Sequence, residues 1–401
     1  MQTLFYIGII FVAGAFIRWL CREFNILSVV GYLVLGFAFG PNGFGVIPHS
    51  FVEDSYIITD LSLSLISVLV GSNLKYDALK RVSKQILIVA LSEALVTFTA
   101  VSIAMYLLFK SLYFSFTNEQ IIIMSIIFGG LAIATAPATI LAIIHELKAK
   151  GRYSTFLLGV VALDNALALI FFSFILIISN LVIGSDGYYL SSIFNIIPVV
   201  GYTILIGIIG GLISNYIDKF FKYNKSFKTT STLGIIFLVY SLSYILNLEP
   251  LLATLVMGMV MANISNEFHI VKDEFDNHLK DIIFLLFFTL SAMHLNVDFI
   301  STMPSVIAFY VIFRILGKFV GVRLGATISG ASLDIKNTLG LALLPQAGIA
   351  IGLALALQGE TGFETISPIV LNIIISTTMV HEFLGPAFTR FAIKRAESRY
   401  I

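Results

Sequence analysis

Thirteen windows of mainly apolar sequence, separated by short polar breaks, constrain this chain more than any other feature. They fall at about 4–20, 27–47, 57–72, 85–109, 121–145, 154–182, 190–213, 231–247, 250–264, 281–295, 304–327, 336–357 and 365–389. Most are long enough to cross a hydrocarbon layer of ~30 Å as helices. Lipid offers backbone N–H and C=O groups no partners, so spanning segments must be helices or strands of a closed barrel, and windows of this length suit helices. With 58% hydrophobic and 12% charged residues, and a mean hydropathy of +0.98, the chain cannot be a water-soluble globule. The predicted class is an all-α polytopic membrane protein with about thirteen transmembrane helices. The first window, "LFYIGIIFVAGAFIRWL", lacks the basic start and small-residue cleavage site of a signal peptide and is read as a retained helix. A single cysteine, Cys21, rules out an internal disulfide or a cysteine metal centre and is read as a small packing residue. A net charge of +1 argues against nucleic acid as a partner. No cofactor is expected.

Lysine and arginine favour the cytoplasmic side, so successive connections should alternate between rich and poor in them if the count is right. They do. Odd-numbered connections and the tail hold 21 of the 24 basic residues, among them Lys75, Lys80, Lys148, Arg152, Lys219, Lys228 and Arg390. Even-numbered connections and the N-terminus hold only Lys110, alongside acids such as Glu53, Asp186, Asp298 and Glu360. The predicted N-terminus is outside and the C-terminus cytoplasmic, in the plasma or inner membrane of the cell. The two remaining bases, Arg314 and Lys318, fall inside the eleventh window.

The chain also resembles itself. At an offset of 221, "GSNLKYDAL" (71–79) meets "AMHLNVDFI" (292–300), sharing Leu74/Leu295 and Asp77/Asp298. At 222, "LVLGFAFGPN" (33–42) meets "LVMGMVMANI" (255–264). An odd number of spans separates the copies, which inverts the second and predicts the inverted-repeat architecture of many secondary transporters. The whole chain is then one integral membrane domain: an N-terminal helix at 4–20, a first repeat at about 27–182, linking helices within 190–247, and a second repeat at about 250–389. No soluble regulatory domain is expected. Such repeats place their site where two interrupted helices cross. One interruption per half is visible, "ATAPAT" (134–139) at Pro137 and "LLPQAG" (343–348) at Pro345 and Gln346. Proline frees backbone groups to face a cavity.

Asp164 and Asn165 stand in "LLGVVALDNALALIFFSFILIISNLVI" (157–183), roughly 15 Å from the start of their span at 1.5 Å per residue. A lone charge at mid-bilayer costs roughly 3 kcal/mol on insertion scales and persists only if paired, neutralised or wet. Lys318 is the expected partner of Asp164. A carboxylate beside a lysine can hold either a proton or an alkali cation, and Thr135, Thr139, the carbonyls around Pro137 and the Asn165 amide oxygen are the hard ligands such a cation prefers. Glu93 plus 221 is Arg314, so these repeat-related residues are expected to form a structural ion pair. Gly317, Gly321 and Gly325 form a smooth stripe for close helix packing. His145, His381, Glu382, Glu249 and Asp60 are placed near span ends.

These motifs resemble the second-type monovalent cation:proton antiporters, the Na+/H+ and K+/H+ exchangers. The likeness runs through "GYLVLGFAFGPNGFGVI", "AIATAPATILAIIHELKAKG", "LLGVVALDNALALI", "FFTLSAMHLNV", "KFVGVRLGA", "LLPQAGIAIGLALA" and "HEFLGPAFTRFAIKRA", in family order. It implies a 13-helix fold with crossed broken helices, a homodimer, an elevator-like motion of a core domain, and a transporter rather than an enzyme. The family's K-x-x-G lysine falls on Lys318 with Gly321, and its acidic pair on Asp164 and Asn165. Electrogenic members of that family carry two aspartates there and electroneutral members Asn then Asp. This chain has Asp then Asn, so Asp164 is the expected carrier, with one proton per cation. An uncoupled cation channel or an ion-sensing membrane protein of the same fold is the alternative. An intramembrane aspartyl protease would need a G-x-G-D motif, which the sequence lacks.

Overall fold

The computed structural model describes residues 2–24, 28–72, 84–112, 116–149, 151–183, 196–220, 225–265, 268–275, 279–295, 303–346, 348–360 and 362–397. Among them are seventeen α-helices: α1 (Gln2–Glu23), α2 (Ser28–Phe39), α3 (His49–Asp54), α4 (Tyr56–Ser72), α5 (Lys84–Leu112), α6 (Asn118–Ile133), α7 (Pro137–Glu146), α8 (Arg152–Ile183), α9 (Ile196–Phe220), α10 (Lys225–Ile245), α11 (Pro250–Ile264), α12 (Phe268–Glu274), α13 (Lys280–Met293), α14 (Pro304–Ser329), α15 (Leu333–Ala342), α16 (Gly348–Ala356) and α17 (Ser367–Ala396). Six described helical stretches are long and apolar enough to cross a membrane, and four shorter helices are apolar as well. Each of the thirteen windows has a helical counterpart. The fold is that of an all-α, multi-pass membrane protein.

Two windows are split as their prolines demand. The fifth becomes α6 and α7 around an extended 134–136, and the twelfth becomes α15 and α16 after the non-helical 344–346. A capping box opens the first broken helix, with Thr117 Oγ1 accepting from Gln120 N at 3.2 Å and Gln120 Oε1 accepting from Thr117 N at 3.1 Å. Ser332 caps α15 through the Ile335 N–H.

The second window is shorter than expected. Its helix stops at Phe39 rather than near 47, because Gly40, Pro41 and Gly43 turn the chain: Phe44 N donates to Ala38 O at 2.7 Å and Gly45 takes a φ of +66°. Hydropathy registers the apolar residues of this turn but not its conformation. In the repeat match, Leu74, Asp77 and Asp298 lie outside the described residues, as does 190–195 of the seventh window.

The chain divides into two compact units. Unit 1 comprises Met1–Tyr56, Val82–Ala168 and Phe287–Ile401, and holds both broken helices. Unit 2 comprises Ile57–Arg81 and Leu169–Leu286, with a core around Val68, Ile236, Met257 and Met261. The repeat leaves a mark inside each. In unit 1, Gly36 of α2 lies against the Thr289 carbonyl of α13, and in unit 2, Gly258 of α11 lies against the Val68 carbonyl of α4. Adding 222 to 36 and 221 to 68 turns one contact into the other with the partners exchanged. A two-fold relation between inverted copies produces that exchange.

Candidate ion-binding site

Breaking α6 at Ile133 leaves its last carbonyls without helical partners, on residues Leu131 to Ala134 that are all buried. Each is met by a side chain. Gln346 Nε2 donates to Leu131 O at 3.1 Å, Arg314 Nε to Ala132 O at 3.0 Å, Lys318 Nζ to Ile133 O at 3.0 Å, and an Arg314 terminal nitrogen to Ala134 O at 2.8 Å. The other Arg314 terminal nitrogen reaches Leu344 O in the second break at 2.7 Å, and Ala136 N donates to Pro345 O at 3.0 Å, tying the two breaks together. Two fixed positive charges at a helix C-terminus also suit its negative dipole end.

The bases reach this point because α14 lies directly on α5. A Cβ on Gly317, Gly321 or Gly325 would sit 2.7–2.8 Å from the Cα of Thr97, Glu93 or Val89. The glycine stripe therefore works as read, and it sets the Glu93 carboxylate beside Lys318. Arg314, Lys318, Glu93 and Asp164 are all 0% exposed.

Lys318 Nζ lies 2.7 Å from Glu93 Oε1, 3.0 Å from Ile133 O and 3.1 Å from Thr135 Oγ1. Its three N–H groups are thereby used. Asp164 Oδ2 is farther, at 3.6 Å, and takes its hydrogen bond from Thr135 Oγ1 at 2.9 Å. Asp164 Oδ1 is buried without a hydrogen-bond partner. Asn165 Oδ1 accepts from Thr135 N at 3.3 Å, at the break.

Three expectations are corrected. Glu93 pairs with Lys318 and accepts from Thr97 Oγ1 at 2.9 Å, not with Arg314. The guanidinium fork is drawn to three orphan carbonyls, and the glycine stripe brings the lysine one turn further on to Glu93. Thr139 does not reach Asp164: its hydroxyl donates to Glu382 at 3.0 and 3.3 Å. Glu382 and His381 are both 2% exposed, mid-helix in α17, rather than at a span end. Helix α17 runs on past its predicted end through Arg390, Lys394 and Arg395. A window closed before its first basic residue, Arg390, stops about two turns short of the helix end at Ala396 and so places Glu382 nearer an end than it is.

Crossed, interrupted helices tied by buried bases, with buried carboxylates beside them, define an inverted-repeat secondary transporter. The chain belongs to the sodium/hydrogen exchanger family: the family described as "Sodium/hydrogen exchanger, transmembrane" matches residues 7–394. Its fold is similar to the structure, determined at pH 8, of the sodium proton antiporter MjNhaP1 from Methanocaldococcus jannaschii, at 19% identity and a TM-score of 0.77 over 98% of each chain. An electron-microscopy structure of that antiporter is similar at 18% identity and a TM-score of 0.73, over 100% of this chain and 99% of the other. No curated protein matches the chain.

Proposed function

We propose that this protein exchanges a monovalent cation, Na+ or K+, for H+ by alternating access, with Asp164 holding proton and cation in turn. The observation that carries this reading is the unequal treatment of the two acids at Lys318. Glu93 takes the lysine at 2.7 Å, whereas Asp164 stands at 3.6 Å; each keeps one buried oxygen, Glu93 Oε2 and Asp164 Oδ1, without a hydrogen-bond donor. An incoming cation can engage Asp164 without first breaking the Lys318–Glu93 pair. The Thr135 hydroxyl links Lys318 to Asp164, so the lysine senses the occupancy of the acid. A buried carboxyl with one oxygen unsatisfied is stabilised by either H+ or an alkali ion, and the two compete for the same place. With this reading go the family's homodimer and elevator motion, and an N-terminus outside the cell membrane.

The test is exchange in proteoliposomes followed with a pH dye, under Na+, K+ or Li+. Wild type should move protons on cation addition. Asp164→Asn should abolish the signal in a protein that elutes normally, and intact pH-dependent exchange in that variant would reject the assignment.

A further inference from the structure

The exchange reading leaves a third buried acid unused. Glu382 sits mid-way along α17, and among the described residues no lysine, arginine or histidine lies within ion-pair distance of it. Its two oxygens share one donor, the Thr139 hydroxyl, at 3.0 and 3.3 Å. Thr139 is in the first turn of α7, just beyond the break at 134–136. One turn along α17, a Cβ on Gly385 would sit 2.8 Å from the Pro345 Cα, and Thr389 Oγ1 donates to Ala342 O at 3.0 Å. Glu382 is therefore held against both interrupted helices.

The buried ionisable groups around the crossing are Glu93, Asp164 and Glu382 against Lys318 and Arg314; a proton or cation at Asp164 balances that set, so the case for Glu382 rests on its own surroundings. Arg314 is the base that acts electrostatically on all three acids, while its hydrogen bonds go to backbone carbonyls. The neighbouring His381 adds no positive charge in its neutral form: its Nδ1 meets Thr377 O at 2.7 Å, which needs a hydrogen on Nδ1 and leaves Nε2 free as an acceptor. Tyr310, edge-on to that ring, donates no charge either. A carboxylate with a single neutral donor in this setting is stabilised by binding a proton.

We propose that Glu382, with the Thr139 hydroxyl, is a second proton-carrying site of the exchange cycle, distinct from Asp164. It rests on the antiport reading and deepens it. The carboxylic acid loses H+ to water when the site opens to the alkaline side and regains it on the other, while Arg314 couples its charge to that at Asp164. Two carboxyls titrating per cation would make the exchange electrogenic, against the single-carrier expectation from the sequence.

The experiment is the null-point ratio in proteoliposomes, with Na+ as the probe: the Na+ gradient that just balances an imposed pH gradient, with and without a membrane potential. Wild type should give about two H+ per Na+ and respond to the potential, whereas Glu382→Gln should give about one, as one of two titrating carboxyls is lost. Glu382→Asp should restore the wild-type ratio. Equal ratios in wild type and Glu382→Gln would overturn the proposal. If Glu382→Gln does not assemble, Thr139→Val decides: losing the hydroxyl that donates to the ionised carboxylate should move half-maximal exchange to higher pH, and an unchanged profile would count against the site. Retained exchange in Asp164→Asn, by contrast, defeats the first reading alone.

Discussion

Replacing Gly321 by alanine tests the contact that seats Glu93 on Lys318. An ideal Cβ at 321 stands 2.7 Å from Glu93 Cα, 3.0 Å from Ser92 O and 3.1 Å from Glu93 O. Carbon atoms pack at roughly 3.5–4.0 Å, so α5 and α14 must part by about 1 Å. The neighbours are backbone atoms that cannot swing aside. Overpacking of this kind costs about 1–3 kcal/mol. The Ser92 Oγ bond to Gly321 O, now 2.9 Å, would stretch past hydrogen-bonding range, adding about 1 kcal/mol. If Lys318 could not follow, lengthening its pair with Glu93 from 2.7 Å by about 1 Å would cost about 1.7 kcal/mol at an effective dielectric of about 20. That charge penalty is an upper bound, since a lysine side chain is flexible. The expected loss without it is about 2–4 kcal/mol. Gly234→Ala is the control, because nothing lies within 4 Å of its Cβ position and helix propensity favours alanine by about 0.5–1 kcal/mol. Purified variants are heated in detergent and the folded fraction read by size-exclusion fluorescence. Gly321→Ala should melt several degrees below wild type and Gly234→Ala at or above it. Equal melting of the two variants would refute the close-packing argument.

Two further outcomes follow from the backbone accounting. Arg314→Lys keeps the charge but replaces a planar fork, whose three nitrogens reach carbonyls on two separate segments, by a single compact ammonium, so at least one charge-assisted bond is lost, about 1.5–3 kcal/mol; the same heating assay should show a drop, and wild-type stability would contradict the fork's role. Glu397→Ala removes the carboxylate that accepts from Gly151 N at 3.1 Å and Ser154 N at 2.8 Å at the start of α8, a capping loss of about 1–2 kcal/mol. Hydrogen exchange should speed up at residues 151–155 and stay unchanged in α5.

The breaks were legible because proline leaves an unmistakable mark in an apolar window. Pro137 and Pro345 each interrupt a helix, and the two interruptions are bonded to one another. The glycine stripe was legible for a similar reason: spacing by four puts Gly317, Gly321 and Gly325 on one face, whatever lies opposite. Pairing between charges was not. The offset of 221 made Glu93 and Arg314 symmetry mates, but mates occupy equivalent places in their repeats and need not touch. The choice between Arg314 and Lys318 turns on one helical turn of register, and on carbonyls that only the folded backbone presents. The place of Glu382 was not legible because hydropathy falls at Arg390, whereas the helix continues for about two turns to Ala396.

The chemistry of the site follows from the broken helix itself. Interrupting α6 in lipid creates carbonyls that must be satisfied, and here cations satisfy three of the four at Leu131, Ala132, Ile133 and Ala134. Buried cations in turn require buried acids, or their desolvation would be unaffordable. Lys318 then has the coordination an alkali ion would seek, with one carboxylate oxygen, one backbone carbonyl and one hydroxyl at 2.7–3.1 Å. The ammonium is in effect a resident cation built into the chain. A cation entering beside it finds the same oxygen types already claimed, except at Asp164, which the lysine pairs with at 3.6 Å without a hydrogen bond. On the proposed exchange reading, Asp164 takes up the mobile cation there while the resident charge stays in place.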